Sequence, residues 1–215
     1  MSRYDAVLFD VDGTLIHSRP GILKTFAITF HELGIDTADM DLSRYLGPPL
    51  RWSFAQHFKD PEMVERAVAI YREHYKAIGM HGCKLFPGVL EMLRTLHEQN
   101  IVLATATSKL ATTASIMLQE TNAYGYFTRI GGASLDKSID TKTAVIRQDM
   151  ADTRLCGKRV LMVGDRQDDM RGAAECNIPA AAVLYGYGSA EELTPWKPVF
   201  MAPDCAALTQ YILES

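Results

Sequence analysis

Two aspartates one residue apart, Asp10 and Asp12, end the apolar run Ala6-Val7-Leu8-Phe9 in "AVLFDVDGTLIHS". Like charges this close cost free energy unless a cation or a chemical task keeps them there. An aspartate at a strand terminus can act as a nucleophile, and one two residues further on can serve as acid and base. The Asp12 backbone carbonyl can also turn toward a cation that Asp10 binds. A solvated turn is rich in Asp and Gly too, but it gives no reason for the pair to follow a buried strand directly.

Three more clusters carry chemistry-bearing residues. In "TATSK", Thr105 to Lys109, hydroxyls and backbone N–H groups at a helix start make an anion site, although Ser and Thr are also ordinary N-caps. Thr107 and Ser108 are the candidate phosphate ligands, and the register leaves Thr105 open in place of Thr107. In "SIDTKTAVI", Asp140 reads as the N-cap, which puts Lys142 in the first helical turn. A cation there opposes the helix dipole at a cost of a few tenths of a kcal/mol. An adjacent phosphate and carboxylate explain that placement better than solvent does. In "VLMVGDRQDDM", Asp165 follows a strand, and Asp169 lies one helical turn on, so both can face one point while Asp168 points elsewhere. Together with Asp10 and Asp12 they form an oxygen-rich acidic pocket. Hard oxygen ligands without His or Cys favour Mg²⁺ over zinc or copper.

The elements that must position these residues are legible from periodicity. Ile22, Leu23, Phe26, Ala27, Phe30 and Leu33 recur at helical spacing and stop at Gly34. Met63, Ala67, Ile70, Tyr71 and Ile78 form a second such set between Pro61 and Gly79. "YLGPPLRWSF" joins them through a Gly-Pro-Pro turn beside Arg51 and Trp52. Residues 17–82 therefore read as a small all-helical lobe, since a structureless loop of that length is improbable in a compact domain. From "LFPGVLEMLRTLHEQN" onward, helices alternate with the strands "IVLATAT", "TRIGGAS", "RVLMVGD" and "AAAVLY". Such alternation predicts a parallel sheet covered by helices, with the first strand joining it across the lobe. Ligands of such sheets sit at the carboxyl ends of the strands, where all the polar clusters fall.

The 215 residues carry a net charge of −4 and are 47% hydrophobic, which fits an ordinary globular chain and shows no nucleic-acid footprint. The four cysteines lie far apart without a CxxC pair, so a zinc site is not expected and reduced thiols in a cytoplasmic setting are. Neither a signal peptide nor a membrane-length apolar run is visible.

Taken in order, "DVDGT", "TSK", Lys142 and "GDRQDD" resemble the four motifs of the haloacid dehalogenase superfamily. The inserted lobe is similar to its α-helical cap, and "LGPPL" and "LYGYGSAEEL" look like the phosphoglycolate phosphatase-like branch. The resemblance implies an α/β fold: a Rossmann-like parallel sheet with helices on both faces, in a core of residues 1–16 and 83–215, plus an inserted all-helical cap domain, residues 17–82. It also implies a phosphatase acting on a small-molecule phosphate ester such as phosphoglycolate, a nucleotide or a sugar phosphate. No nucleic-acid polymer or membrane is expected as partner, and the chain is expected as a monomer or homodimer.

By that resemblance Asp10 is the nucleophile that forms an aspartyl-phosphate, and Asp12 is the general acid and base. Mg²⁺ is held by Asp10, the Asp12 carbonyl and Asp165, with Asp169 supporting the metal shell through water. Thr107 and Ser108 bind the phosphoryl oxygens, and Lys142 neutralises charge. Gly47, Pro48 and Arg51 are candidates for substrate contact from the cap, because a rigid Gly-Pro turn can present N–H groups and an arginine to an anion. An ordinary helix connection with a solvated Arg51 is the competing reading. Dehalogenation is disfavoured by the presence of Asp12 and Asp165. A β-phosphoglucomutase-like phosphomutase and a non-catalytic phosphate-binding module are the alternatives.

Overall fold

The computed structural model describes residues 2–136 and 138–214. Eight strands occur among them: β1 (Ala6–Phe9), β2 (Ile16–His17), β3 (Lys84–Leu85), β4 (Val102–Leu110), β5 (Arg129–Ala133), β6 (Val160–Gly164), β7 (Ala180–Val183) and β8 (Phe200–Ala202). Six of them form one sheet in the order β5-β4-β1-β6-β7-β8. Every neighbouring pair in it is parallel. The remaining two, β2 and β3, make a short antiparallel ribbon.

The chain divides into two compact units, Met1–His17 with Lys84–Ser215, and Ser18–Cys83. The smaller unit contains the helices α1 (Arg19–Glu32), α2 (Leu50–Ala55) and α3 (Pro61–His74), the last continuing into a π turn over Tyr75–Gly79. Aromatic rings fill its centre, with Phe26 4.6 Å from Tyr71 and 5.0 Å from Tyr45 between centroids. The buried face of α3 is Val64, Ala67, Val68 and Tyr71. Met63 and Ile70 are only partly covered and Ile78 is exposed, so the helix is rotated from the face that its apolar residues define. A stripe containing Val64 and Val68 competes with the one containing Met63 and Ile70, and the inner aromatic cluster selects the first.

In the larger unit, α4 (Val89–Glu98), α5 (Ala111–Glu120), α6 (Lys142–Met150), α7 (Gln167–Glu175), α8 (Ala190–Leu193) and α9 (Cys205–Leu213) surround the sheet. Alternate residues of three strands (Ala6 and Leu8, Ala104 and Ala106, Val160 and Met162) pack with Val145, Ile146 and Ala173 of α6 and α7. Residues of the opposite parity, Val7, Phe9, Leu103, Leu161 and Val163, are equally buried. Both sheet faces are thus covered, which is why these strands read as continuous apolar runs rather than as alternating ones. Among the described residues no helix is long and apolar enough to cross a membrane.

Candidate active site

Strand β1 lies at the middle of the sheet, where the order of connection reverses. The chain runs from β1 to β4 and β5 on one side, then returns to β6, β7 and β8 on the other. A crevice opens at the carboxyl ends of strands at such a point. Asp10 comes directly after β1, with its N–H donating to the carbonyl of Val163 on β6 at 2.9 Å, and its side chain is buried. Thr107 on β4 and Asp165 after β6 lie level on the two neighbouring strands, each two residues beyond the partner of Phe9.

The turn after Asp10 explains "DGT". Gly13 adopts φ +83°, and a Cβ there would overlap the Asp165 carboxylate. Conformation and clearance both demand glycine. The Thr14 hydroxyl donates to Oδ1 of Asp165 at 3.1 Å, and the Tyr187 backbone N–H donates to Oδ2 at 2.8 Å. Both oxygens of this fully buried carboxylate are therefore oriented by the protein.

Lys142 completes the cluster. Its Nζ lies 2.8 Å from Oδ1 of Asp10 and 2.7 Å from Oδ1 of Asp169, and it donates to the Ala106 carbonyl at 2.9 Å. The N-cap of α6 is Thr141, whose hydroxyl accepts from Ala144 N–H, and not Asp140. Lys142 is thus the first residue of the helix. The dipole penalty is offset by two carboxylates within contact distance. Asp169 is anchored in turn by the Arg166 N–H, 3.0 Å from its Oδ2. Asp168 faces away, paired with Arg171 at 2.6 Å.

Burial pushes the Asp165 carboxyl well above the ordinary aspartate range, and the charges of Asp169 and Asp10 add to the shift. Burial likewise pushes Asp169 up to about 6, against the pull of the Lys142 cation. For Lys142 burial disfavours the ammonium, but the charges of Asp10 and Asp169 outweigh it and hold the group above its usual value. One ammonium among three crowded carboxylates leaves an excess of negative charge in a dry site.

Of the two threonines, Thr105 is committed to the sheet, where its hydroxyl donates to the Gly131 carbonyl at 2.9 Å. Thr107 lies within β4, which runs on to Leu110, so residues 105–109 are strand and not the helix start that the sequence suggested. Helix α5 begins only at Ala111, and the Thr107 hydroxyl accepts from the Lys109 N–H at 3.3 Å. Ser108, next to it, is half-buried. Asp12 is directed to a second cation, its Oδ2 lying 3.0 Å from Nζ of Lys109.

A sequence profile described as haloacid dehalogenase-like hydrolase matches residues 7–183. The chain belongs to this family. A 5'-nucleotidase of Pseudomonas aeruginosa is 35% identical over 99% of this chain and 97% of its own length. The tyrosine-protein kinase PtkA of Mycobacterium tuberculosis is 36% identical over 86% of this chain, which spans 64% of that longer relative. A solved structure of a predicted phosphatase from Clostridium acetobutylicum is 35% identical, with a TM-score of 0.93 over 99% of both chains.

In this haloacid dehalogenase-like hydrolase, Gly47 and Arg51 belong to the helical unit. Gly47 adopts φ +99°. The Arg51 guanidinium is engaged in two bonds to Glu65, Nε to Oε1 at 2.6 Å and Nη2 to Oε2 at 3.2 Å. An anion that recruits Arg51 has to share it with that carboxylate.

Three residues that serve the cluster carried no assignment from sequence: Thr14, Lys109 and Tyr187. Thr14 and Lys109 stand inside the quoted motifs. For Tyr187 the signal is the alternation Gly186-Tyr187-Gly188. Side chains at either glycine would overlap Asp165, so the loop backbone passes against it.

The donor set fits a hard divalent cation. Asp10, Asp165 and Asp169 each offer one carboxylate oxygen, and these atoms lie within 4.8 Å of one another. All three are buried, all are oxygen donors, and their excess charge is of the sign a dication offsets.

Proposed function

We propose that the protein is a Mg²⁺-dependent phosphatase of small phosphomonoesters, working through a phosphorylated Asp10. The observation that carries this reading is the position of Lys142, bonded at once to Asp10 and Asp169 beside buried Asp165. A nucleophilic carboxylate facing an anionic phosphate needs cations on both, and the site supplies one and has oxygen donors for another. Mg²⁺ would be held by Asp10, the Asp12 backbone carbonyl and Asp165, with Asp169 supporting that shell, and it supplies charge neutralisation as the phosphoryl group moves.

The protein's own residues carry the bond changes. A carboxylate oxygen of Asp10 attacks phosphorus, the bond from phosphorus to the ester oxygen breaks, and the Asp12 carboxyl protonates the leaving oxygen. Asp12, now a carboxylate, takes a proton from water. The resulting hydroxide oxygen bonds to phosphorus, and the bond to Asp10 breaks to release phosphate. Thr107 and Ser108 bind the non-bridging oxygens, and the Lys142 ammonium orients Asp10 and offsets negative charge beside it.

The helical unit is proposed to act as the cap, with Gly47 and Arg51 contacting the leaving group. The full-length relative named a 5'-nucleotidase supports nucleoside monophosphates as one class to try, beside phosphoglycolate and sugar phosphates. Phosphate release from such a panel, with and without Mg²⁺, tests the reading. Metal-dependent release supports it. Isomerised sugar phosphate with little free phosphate would replace it by a phosphomutase, and no release from any member would leave a binding module.

A further inference from the structure

The two aspartates of the first motif are held by different cations. Asp10 is bonded to Lys142 at 2.8 Å, whereas Oδ2 of Asp12 lies 3.0 Å from Nζ of Lys109. The second pair is nearly as enclosed as the first, with side-chain exposures of 10% for Lys109 and 17% for Asp12. An ion pair so little exposed is weakly screened, and it restricts the rotamers of both side chains more than a surface pair does. Lys109 is tied down at its other end as well, since its N–H donates to the Thr107 hydroxyl at 3.3 Å. One residue thereby connects a candidate phosphate ligand with the candidate proton donor. It does so from the segment of β4 where the register with β5 shifts, between Thr107 and Leu110. That irregularity re-aims side chains at a strand end.

We propose that Lys109 is the positioning residue of the acid and base, holding Asp12 apart from Asp10 and aimed at the leaving oxygen. The proposal rests on the reading of Asp12 as the proton donor. Lys109 acts through Asp12 and takes no part in bond making. Without it the Asp12 carboxyl samples other rotamers, and proton donation fails in proportion. Misplacing a catalytic group by about 1 Å can cost on the order of 10²-fold, and general acid catalysis as a whole contributes about 10²–10⁴-fold.

The test uses the leaving group. An alkyl phosphate such as β-glycerophosphate releases an alkoxide that needs a proton, whereas p-nitrophenyl phosphate releases a stable phenolate. The readout is the ratio of kcat/KM for the aryl ester to that for the alkyl ester, which does not depend on how much of a variant is folded. For Lys109→Met the ratio is expected to rise about 10- to 100-fold, with Lys109→Arg recovering part of the loss. Asp12→Asn is the control and should raise the ratio at least as far. An unchanged ratio in Lys109→Met beside a raised ratio in Asp12→Asn overturns the role of Lys109 and leaves that of Asp12 standing. An unchanged ratio in Asp12→Asn removes the reading of Asp12 as acid, and the proposal with it. A loss in Lys109→Met that is equal for both esters also overturns the proposal, because it places Lys109 on the phosphate or on the fold.

Discussion

Oδ1 of Asp169 and Nζ of Lys142 lie 2.7 Å apart, both fully enclosed, one from the first turn of α7 and the other from the first residue of α6. This pair ties two helices on one sheet face to the end of β1, because the same Nζ reaches Asp10. Replacing Lys142 by Met keeps most of the volume but leaves buried carboxylates facing one another. Breaking a buried pair from one side costs roughly 3–5 kcal/mol. Urea denaturation at neutral pH should show Lys142→Met destabilised by about that amount. A loss below about 1 kcal/mol, the range of surface pairs, contradicts the pairing.

The loop after β7 makes a second prediction. A Cβ at Gly186 would overlap Asp165 Cβ and the Gly13 carbonyl, so Gly186→Ala forces apart two segments that hold Asp165. Overpacking of this kind costs about 1–3 kcal/mol. Calorimetric titration should also show weaker Mg²⁺ binding than in the wild type, because the Tyr187 N–H that orients Asp165 moves with the loop. Unchanged stability together with unchanged affinity would mean that the loop does not set the position of Asp165.

Asp149 carries the pH prediction. It is fully enclosed on α6 and pairs with Arg129 at 2.5 Å, yet burial outweighs the guanidinium and pushes its carboxyl up to about 6. The folded state therefore binds this proton more tightly than the unfolded chain does. Its favourable contribution is complete below the ordinary aspartate value and is lost as pH rises through about 6. Measured as the difference in unfolding free energy between the wild type and Asp149→Asn, stability should fall by roughly 2 kcal/mol from pH 4 to pH 7. A difference that stays flat, or rises with pH, shows that Arg129 holds the carboxyl ionised instead.

How much was legible follows from what each residue needs. Asp10, Lys142 and Asp165 could be singled out because each breaks a local rule, a charge after an apolar run or a cation at a helix start. Asp169 could be because it lies one helical turn beyond Asp165, although a carboxylate there also suits the helix dipole. The structure brings these four together. The parallel sheet was legible because strands buried on both faces leave long apolar runs. The β2–β3 ribbon and β8 were not, since two or three residues show no alternation. Helix α9 did carry a signal, Asp204 as N-cap ahead of Cys205, Leu208 and Ile212. The ion pair of Lys109 with Asp12 could not be read at all. It depends on how β1 and β4 align, and that register is a property of the folded sheet.

The central claim is that Asp10 carries the phosphoryl group, and trapping that group tests it most directly. The wild type is mixed with a ³²P-labelled phosphomonoester that it turns over, quenched in acid within one turnover, and digested for mass spectrometry. The account predicts an acyl-phosphate on the peptide containing Asp10, and neither label nor appreciable turnover in Asp10→Asn. Label on another residue, or near-normal turnover in Asp10→Asn, contradicts it.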